Sequence, residues 1–226
     1  MNLNPKFIVG DIETITINNK HIPVLMGLMF DYKTYFFFRN YDNLNWSCGS
    51  KAMKDFIFSM CGHDKIVYFH NLSSFDGILI LEMLSILGIE SQTITKDSNV
   101  YSISYTTNRG KAFIRDSFTM IPFSLKESSV LFNTSYFKKH FDFSNFDIYS
   151  LQNKAVLSNL EDYFKTDLLC LFELVHRFDY LLLSITGLSL QSSLTLSSLS
   201  HKYFLNSWFD EVFFSLTENQ DKFVRD

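Results

Sequence analysis

Cysteine is scarce in this chain: Cys48, Cys61 and Cys170 are odd in number, widely spaced and outside any CxxC pair. A disulfide framework and a cysteine-built zinc site are therefore not indicated, and a reducing compartment fits best. Long apolar runs are missing as well. No stretch approaches the roughly 18 uninterrupted apolar residues of a membrane span, so no membrane association is expected. The opening MNLNPKFIVGDIET has neither the basic start and apolar run of a secretory signal nor the arginines of a transit peptide. There is no excess of basic charge: 20 Lys+Arg stand against 24 Asp+Glu, giving a formal charge of −4 and a pI near 5.8. Bulk composition thus carries no nucleic-acid footprint, and any DNA contact must be local. A site for divalent cations would itself gather carboxylates, so net acidity does not exclude one. Alanine occurs only at Ala52, Ala112 and Ala155 and proline only three times, against 25 Phe and 11 Tyr. Such a bias is what an A+T-rich coding sequence imposes, and it points to an organelle or a selfish element.

What is present is a globular composition. With 226 residues, 46% hydrophobic and 19% charged, the chain can bury a core as one large domain or two small ones. Residues 6–17, 22–30 and 34–38 are β-branched and apolar and are expected to form an opening meander. A helix is expected over 51–61, a buried strand over 65–70, a loop at 71–74 and an almost wholly buried helix over 75–87, with Ser74 as its N-cap and Gly88 as its C′ residue. Strands follow at 90–95, 99–106 and 111–116, the last two joined by a turn at Asn108-Arg109-Gly110. A short helix at 124–131, an aromatic, Lys-bearing loop at 132–149, and helices over 158–180 and 196–209 complete the reading. Strands first, one strand–helix unit in the middle and helices last suggest an α/β fold, a mixed sheet flanked by helices of the RNase H-like kind.

Four carboxylates stand out against this frame. Asp11 and Glu13, two apart on a strand, project from one face. Asp76 opens an apolar helix directly after a buried strand, as a helix-dipole partner or as a ligand. Tyr163 and Asp167, four apart in a helix, share a face. Taken singly, each has a bland structural explanation. The Cys61, His63 and His70 group lacks a fourth metal ligand and reads as packing or surface, and His140 and His201, beside lysines, read as solvated surface. Jointly, DIET, HNLSSFDG and YFKTD occur in that order, each on the element type where it belongs.

That ordered set resembles the three exonuclease motifs of family B DNA polymerases, in the DEDD nuclease class with tyrosine, and most closely their protein-primed branch of phages and linear mitochondrial plasmids. The resemblance implies that Asp11 and Glu13 form the first motif, Asn71, Phe75 and Asp76 the second, and Tyr163 and Asp167 the third. Thr14, and Ser124-Leu125 within DSFTMIPFSLK, look like family positions that contact an unpaired 3′ end, although Ser128 stands where the family has an apolar residue. The family also uses a lysine before the third motif, for which Lys138, Lys139 and Lys154 are candidates. Residues 1–185 would form the exonuclease domain and 186–226 a helical lead towards a polymerase domain, with Phe223-Val224-Arg225-Asp226 similar to the approach to the connector. No segment matches the polymerase palm, so unaided polymerisation is not expected.

The chemistry implied is hydrolysis of the 3′-terminal phosphodiester with two divalent cations, Mg²⁺ or Mn²⁺, which suit oxygen ligands. Asp11 would bridge both ions, Glu13 and Asp167 complete one shell and Asp76 hold the second, partly through water. Tyr163, with an ordinary pKa near 10, is better suited to orienting water than to acting as a base. The expected partner is a single-stranded DNA 3′ end, with a terminal protein as the full-length family's further partner. The expected state is a monomer, encoded by mitochondrial DNA or a linear plasmid. A remnant that only binds single-stranded DNA, and a stand-alone RNA or oligonucleotide exonuclease of the same class, are the alternatives.

Overall fold

The computed structural model describes residues 6–41, 49–143 and 146–208. Strands β1 (Phe7–Ile17), β2 (Lys20–Met29) and β3 (Tyr35–Arg39) form the opening meander. Helix α1 (Lys51–Ser59), strand β4 (Ile66–Phe69) and helix α2 (Asp76–Ile86) follow. Next come β5 (Ser91–Lys96), β6 (Asn99–Thr107) and β7 (Gly110–Asp116), then α3 (Leu125–Leu131), α4 (Lys154–Thr186) and α5 (Leu196–Trp208). The seven strands make one mixed sheet in the order β3-β2-β1-β4-β7-β6-β5. Strand β4 runs parallel to both β1 and β7, and every other pairing is antiparallel. The expected mixed sheet with flanking helices is the architecture found.

Alternation along β1 sorts its side chains into two cores. Ile8 and Ile12 join Met53, Phe56 and Ile57 of α1 and Leu79, Ile80 and Met83 of α2. Phe7 and Val9 join Leu160, Phe164, Leu168 and Phe172 of α4. The sheet centre is thus covered on both faces, which is why β1 and β2 read as near-continuous apolar runs. Two glycines set how closely the layers approach. A Cβ on Gly10 would lie 2.3 Å from the Phe69 ring, and one on Gly27 would lie 2.4 Å from the Phe164 ring. Gly27 pairs directly with Asp11 across the β1–β2 ladder, so its missing side chain lets α4 settle onto the sheet beside that carboxylate.

Three local expectations are corrected. Helix α2 is not buried all round, because Ile78, Glu82 and Ser85 face solvent on one side. Ser74 does not cap it: the N-cap residue is Phe75, with no side-chain cap, and Ser74 Oγ donates instead to Asn71 Oδ1 at 2.8 Å within a 3-10 turn, Leu72–Ser74. Helix α4 starts earlier and ends later than its apolar spacing suggested. Asn153 caps it through Oδ1, which accepts from the Ala155 amide at 3.0 Å, and Gly187 closes it in the left-handed region at φ 70°. Gly88 does stand at φ 65° just past α2. Residues after α4 return to the sheet: Arg115 donates to the Gln191 carbonyl at 2.8 Å and the Thr119 hydroxyl donates to the Leu194 carbonyl. Cys61 and Cys170 are buried free thiols, and among the described residues no helix is long and apolar enough to cross a membrane. Cys48, the end of the helix expected to reach 209 and the 223–226 segment lie outside the described residues.

Gly27→Ala should force Phe164 and Leu168 of α4 outward and lower unfolding free energy by about 1–3 kcal/mol, the usual cost of overpacking. A urea midpoint shift at unchanged m-value would check this.

Candidate active site

Asp11 and Glu13 continue the α4-facing parity of Phe7 and Val9 in the middle of β1, between the core those residues share with α4 and a smaller cluster around Ile15. There α4 presents Asp167 and, one turn earlier, Tyr163, both buried. One carboxylate oxygen each from Asp11, Glu13 and Asp167 can be chosen so that all lie within 4.8 Å of one another. A shift of register between Glu13 and Thr14 then breaks the regular ladder with β2. Asp76 arrives from the opposite layer, as the first residue of α2, and is only 6% exposed. It stands outside that close trio, but its charge is felt at Glu13 and that of Asp11 is felt at Asp76.

Crowded acids in a partly dry site resist ionisation. Burial, followed by the charge of Asp167, pushes Asp11 up to about 6. Burial and the charges of Asp11 and Asp167 hold Glu13 well above the usual carboxylate range, and burial together with Asp11 does the same to Asp76. Burial raises Asp167 against the opposing pull of Lys138. Tyr163 is pushed far above an ordinary tyrosine by burial and by Glu13 and Asp167, so it stays a neutral hydroxyl. Asp76 Oδ1 and Asp167 Oδ1 are buried and accept no hydrogen bond. Buried carboxylate oxygens without donors carry a desolvation cost that a hard cation would relieve, and an all-oxygen donor set fits Mg²⁺ or Mn²⁺.

One cation from the chain itself enters the group. Lys138 Nζ lies 3.0 Å from Asp167 Oδ2, an ion pair that is not aligned as a hydrogen bond, and 5.8 Å from the centre of the Tyr163 ring. Although burial acts against its charge, Asp167, Asp11 and Glu13 hold Lys138 above an ordinary lysine. Of the three lysines left open by the sequence, it is the one at the carboxylates. Lys139 lines a different depression, with His140 and Asp162, and Lys154 is the first residue of α4.

A cleft of about 500 Å³ opens beside Asp11, Asp167 and Lys138. Asn71, Ser124 and Leu125, singled out in the sequence, line it, together with His70 and Phe123. Thr14 and Phe75 sit on either side of His21, whose Nδ1 is 3.5 Å from Thr14 Oγ1 and whose ring meets Phe75 edge-on at 4.9 Å. Ser124 caps α3 in a reciprocal box with Glu127. Ser128 is fully buried, its hydroxyl donating to the Phe123 carbonyl at 3.3 Å, so a polar residue is accommodated there by a local bond.

Two residues that shape the cleft were not singled out for that role by sequence. Asp116, at the end of β7, accepts from the amides of Asn71, Ser73 and Phe118 and so fixes the loop before α2, where Asn71 adopts a left-handed φ of 66°. His70 holds the Phe123 carbonyl at 2.8 Å and Ser117 Oγ at 2.9 Å, and burial lowers its pKa. A neutral ring would then donate from Nε2 and accept at Nδ1. An aspartate as the last residue of a strand pattern was the available signal for Asp116. Nothing local distinguishes His70.

Residues 59–159 match the family described as DNA polymerase type B, organellar and viral. A probable DNA polymerase of Ascobolus immersus is 31% identical over 132 residues, 54% of this chain and 10% of that protein. Over these stretches the chain is similar to organellar and viral type B DNA polymerases and to that fungal protein. Solved structures of Phi29 DNA polymerase share the fold. The ternary complex with primer-template DNA and incoming nucleotide superposes with a TM-score of 0.71 at 22% identity, over 98% of this chain and 38% of that one. The complex with single-stranded DNA gives 0.69 at 22% identity, over 98% and 39%. The chain therefore spans a tenth of the fungal probable DNA polymerase and under two fifths of those polymerase chains. The fold is the RNase H-like one.

The raised Asp11 makes metal-free stability pH-dependent. Between the ordinary aspartate range and about 6 the folded chain holds the extra proton, so this group's contribution is favourable at low pH and is lost as pH rises through about 6. Relative to Asp11→Asn, the metal-free wild type should lose melting temperature between pH 5 and pH 7. Parallel melting curves for the two proteins across that range would contradict the crowded-acid description.

Proposed function

We propose that this chain is a divalent-metal-dependent 3′→5′ exonuclease acting on unpaired DNA 3′ ends, the editing portion of a protein-primed family B polymerase. The observation that carries this reading is the convergence of Asp11, Glu13 and Asp167 oxygens within 4.8 Å, with Asp76 entering from the facing layer. Bound divalent cations would supply charge neutralisation at the phosphate and a lowered pKa for the attacking water. Asp11, Glu13 and Asp167 would hold one such ion, and Asp76 with Asp11 a second. The neutral Tyr163 hydroxyl orients water and does not abstract its proton. Lys138 places a positive charge beside Asp167, where it favours an anionic phosphate and the charge that develops in its transition state.

The cleft wall of Asn71, Ser124 and Leu125 gives the strand a path to the carboxylates, and Phe75, half-buried with His21 on its edge, offers a base-stacking surface with Thr14 beside it. A strand must be unpaired to follow such a path, which makes the activity one of proofreading. In this reading residues 1–185 are the nuclease unit and 186–226 lead towards a polymerase domain, with a terminal protein as a further partner. A linear plasmid or mitochondrial DNA is the coding source that the match to the organellar and viral family and the Ascobolus relative support.

Asp11→Ala with Glu13→Ala should reduce Mg²⁺- or Mn²⁺-dependent release of mononucleotides from 5′-labelled single-stranded DNA by at least ~10³-fold, since the metal site supplies several kcal/mol. Circular dichroism should show the fold retained. Full activity in the double variant, or in EDTA, would overturn the reading; degradation of matched RNA alone would transfer it to RNA. Lys138→Ala should lower kcat by ~10²-fold, the usual effect of removing one charge-stabilising donor, as read in single-turnover digestion.

A further inference from the structure

We infer that Glu173 and Arg177 are positioning residues for Lys138, acting through the segment 132–143 that they strap onto α4. The inference rests on the exonuclease reading for its kinetic consequence, but its geometry stands alone. Glu173 is 5% exposed and lies outside the cleft lining. Its carboxylate accepts from the Ser135 amide at 2.6 Å and from the Ser135 hydroxyl at 3.0 Å. Arg177, one turn on, donates from Nε to the same carboxylate at 2.8 Å, forms an ion pair with it through Nη2 at 2.6 Å and also reaches the Phe132 carbonyl at 3.4 Å. A Glu–Arg pair four apart on a helix needs no loop to form. Here both oxygens also receive the loop, and burial leaves the carboxylate dependent on these donors.

From that anchor the chain runs back along the helix. Phe132 packs edge-on against Phe178 at 5.6 Å, Ser135 is held at Glu173, Lys138 reaches Asp167, and Phe141 and Phe143 meet Tyr163 at 5.6 Å and 5.8 Å. The Thr134 hydroxyl stiffens the strap by donating to the Tyr136 carbonyl at 2.7 Å. Lys138 is three residues on from Ser135, a reach of at most about 10 Å. Glu173 and Asp167 are six helical residues apart, about 9 Å along the axis and about 120° round it. The strap therefore crosses α4 obliquely with little slack, and pinning Ser135 confines the Lys138 backbone to the neighbourhood of Asp167. Without the pin, a long flexible lysine on an irregular segment would spend its time in solvent.

The test compares Glu173→Ala and Glu173→Gln, each alone and combined with Lys138→Ala, for kcat and KM on 5′-labelled single-stranded DNA. Glu173→Ala should lower kcat about 10–100-fold, as loss of a supporting partner does, with KM little changed. Glu173→Gln, which keeps an acceptor for the Ser135 amide, should lose less. In the Lys138→Ala background neither substitution should lower kcat further, because the effect passes through that amine. Equal losses in both backgrounds, or no loss in either, would overturn the inference. Its activity-free counterpart is the ¹³C signal of reductively methylated Lys138, assigned by Lys138→Arg. That signal should move to the position of a solvent lysine in Glu173→Ala while the melting curve still shows a folded protein. An unmoved signal refutes the positioning role, whereas a moved signal in a protein without exonuclease activity refutes only the exonuclease reading.

Discussion

Helix α4 lies across β1 and β2 with Phe164, Leu168 and Phe172 sharing one core with Phe7, Val9 and Leu25, and this apolar contact is what drives three carboxylates into one small volume. Burial of large side chains on both sides contributes on the order of 1.5–3 kcal/mol each, more than the mutual repulsion of neighbouring acids can undo. The face that buries Phe7 and Val9 carries Asp11 and Glu13 on the same parity, so the contact that stabilises the domain also delivers these two carboxylates to Asp167. Gly27 belongs to the same arrangement, because a side chain there would meet the Phe164 ring and hold the helix away from Asp11.

The facing layer adds Asp76 by a different route. Strand β4 ends at Phe69 between two parallel neighbours, and the chain turns through Asn71 and a 3-10 turn into α2. Asp116 receives three amides from that turn and its surroundings, which holds irregular backbone in place at the carboxyl end of the parallel strands, the usual location of sites in such sheets. His70 ties the Phe123 carbonyl, and with it the Ser124-Leu125 wall, to the same edge. The cleft is therefore built from loops that take their rigidity from buried polar groups, while the acids themselves stand on a strand and two helices.

Most of the architecture was legible from periodicity: among the described residues, each of the seven strands and five α-helices lies where alternation or helical spacing places it, give or take a few residues. The failures have local causes. Ser74 fits an N-cap by residue type, yet its hydroxyl is turned to Asn71 by the left-handed turn that precedes α2. The apolar run of α2 suggested a helix almost wholly buried, whereas one layer of sheet and α1 can cover only part of a helix, and Ile78 is left 60% exposed.

For the site, strand parity paired Asp11 with Glu13 and helical spacing paired Tyr163 with Asp167, because both are properties of neighbouring residues, while the resemblance of the ordered motifs to those of family B exonucleases was needed to nominate these four together with Asp76. The family resemblance alone made Asn71, Ser124 and Leu125 candidates, and it could not say that they share a cleft with Asp11. Choosing Lys138 over Lys139 and Lys154 needed the tertiary structure: the segment that carries the first two has no periodicity and their directions follow from where it is pinned to α4, while Lys154 begins that helix. The roles of Asp116, His70 and Glu173 were decided there as well: each acts through partners dozens of residues away in sequence, and a hydrogen bond across that separation leaves no pattern in the chain until packing has closed the distance.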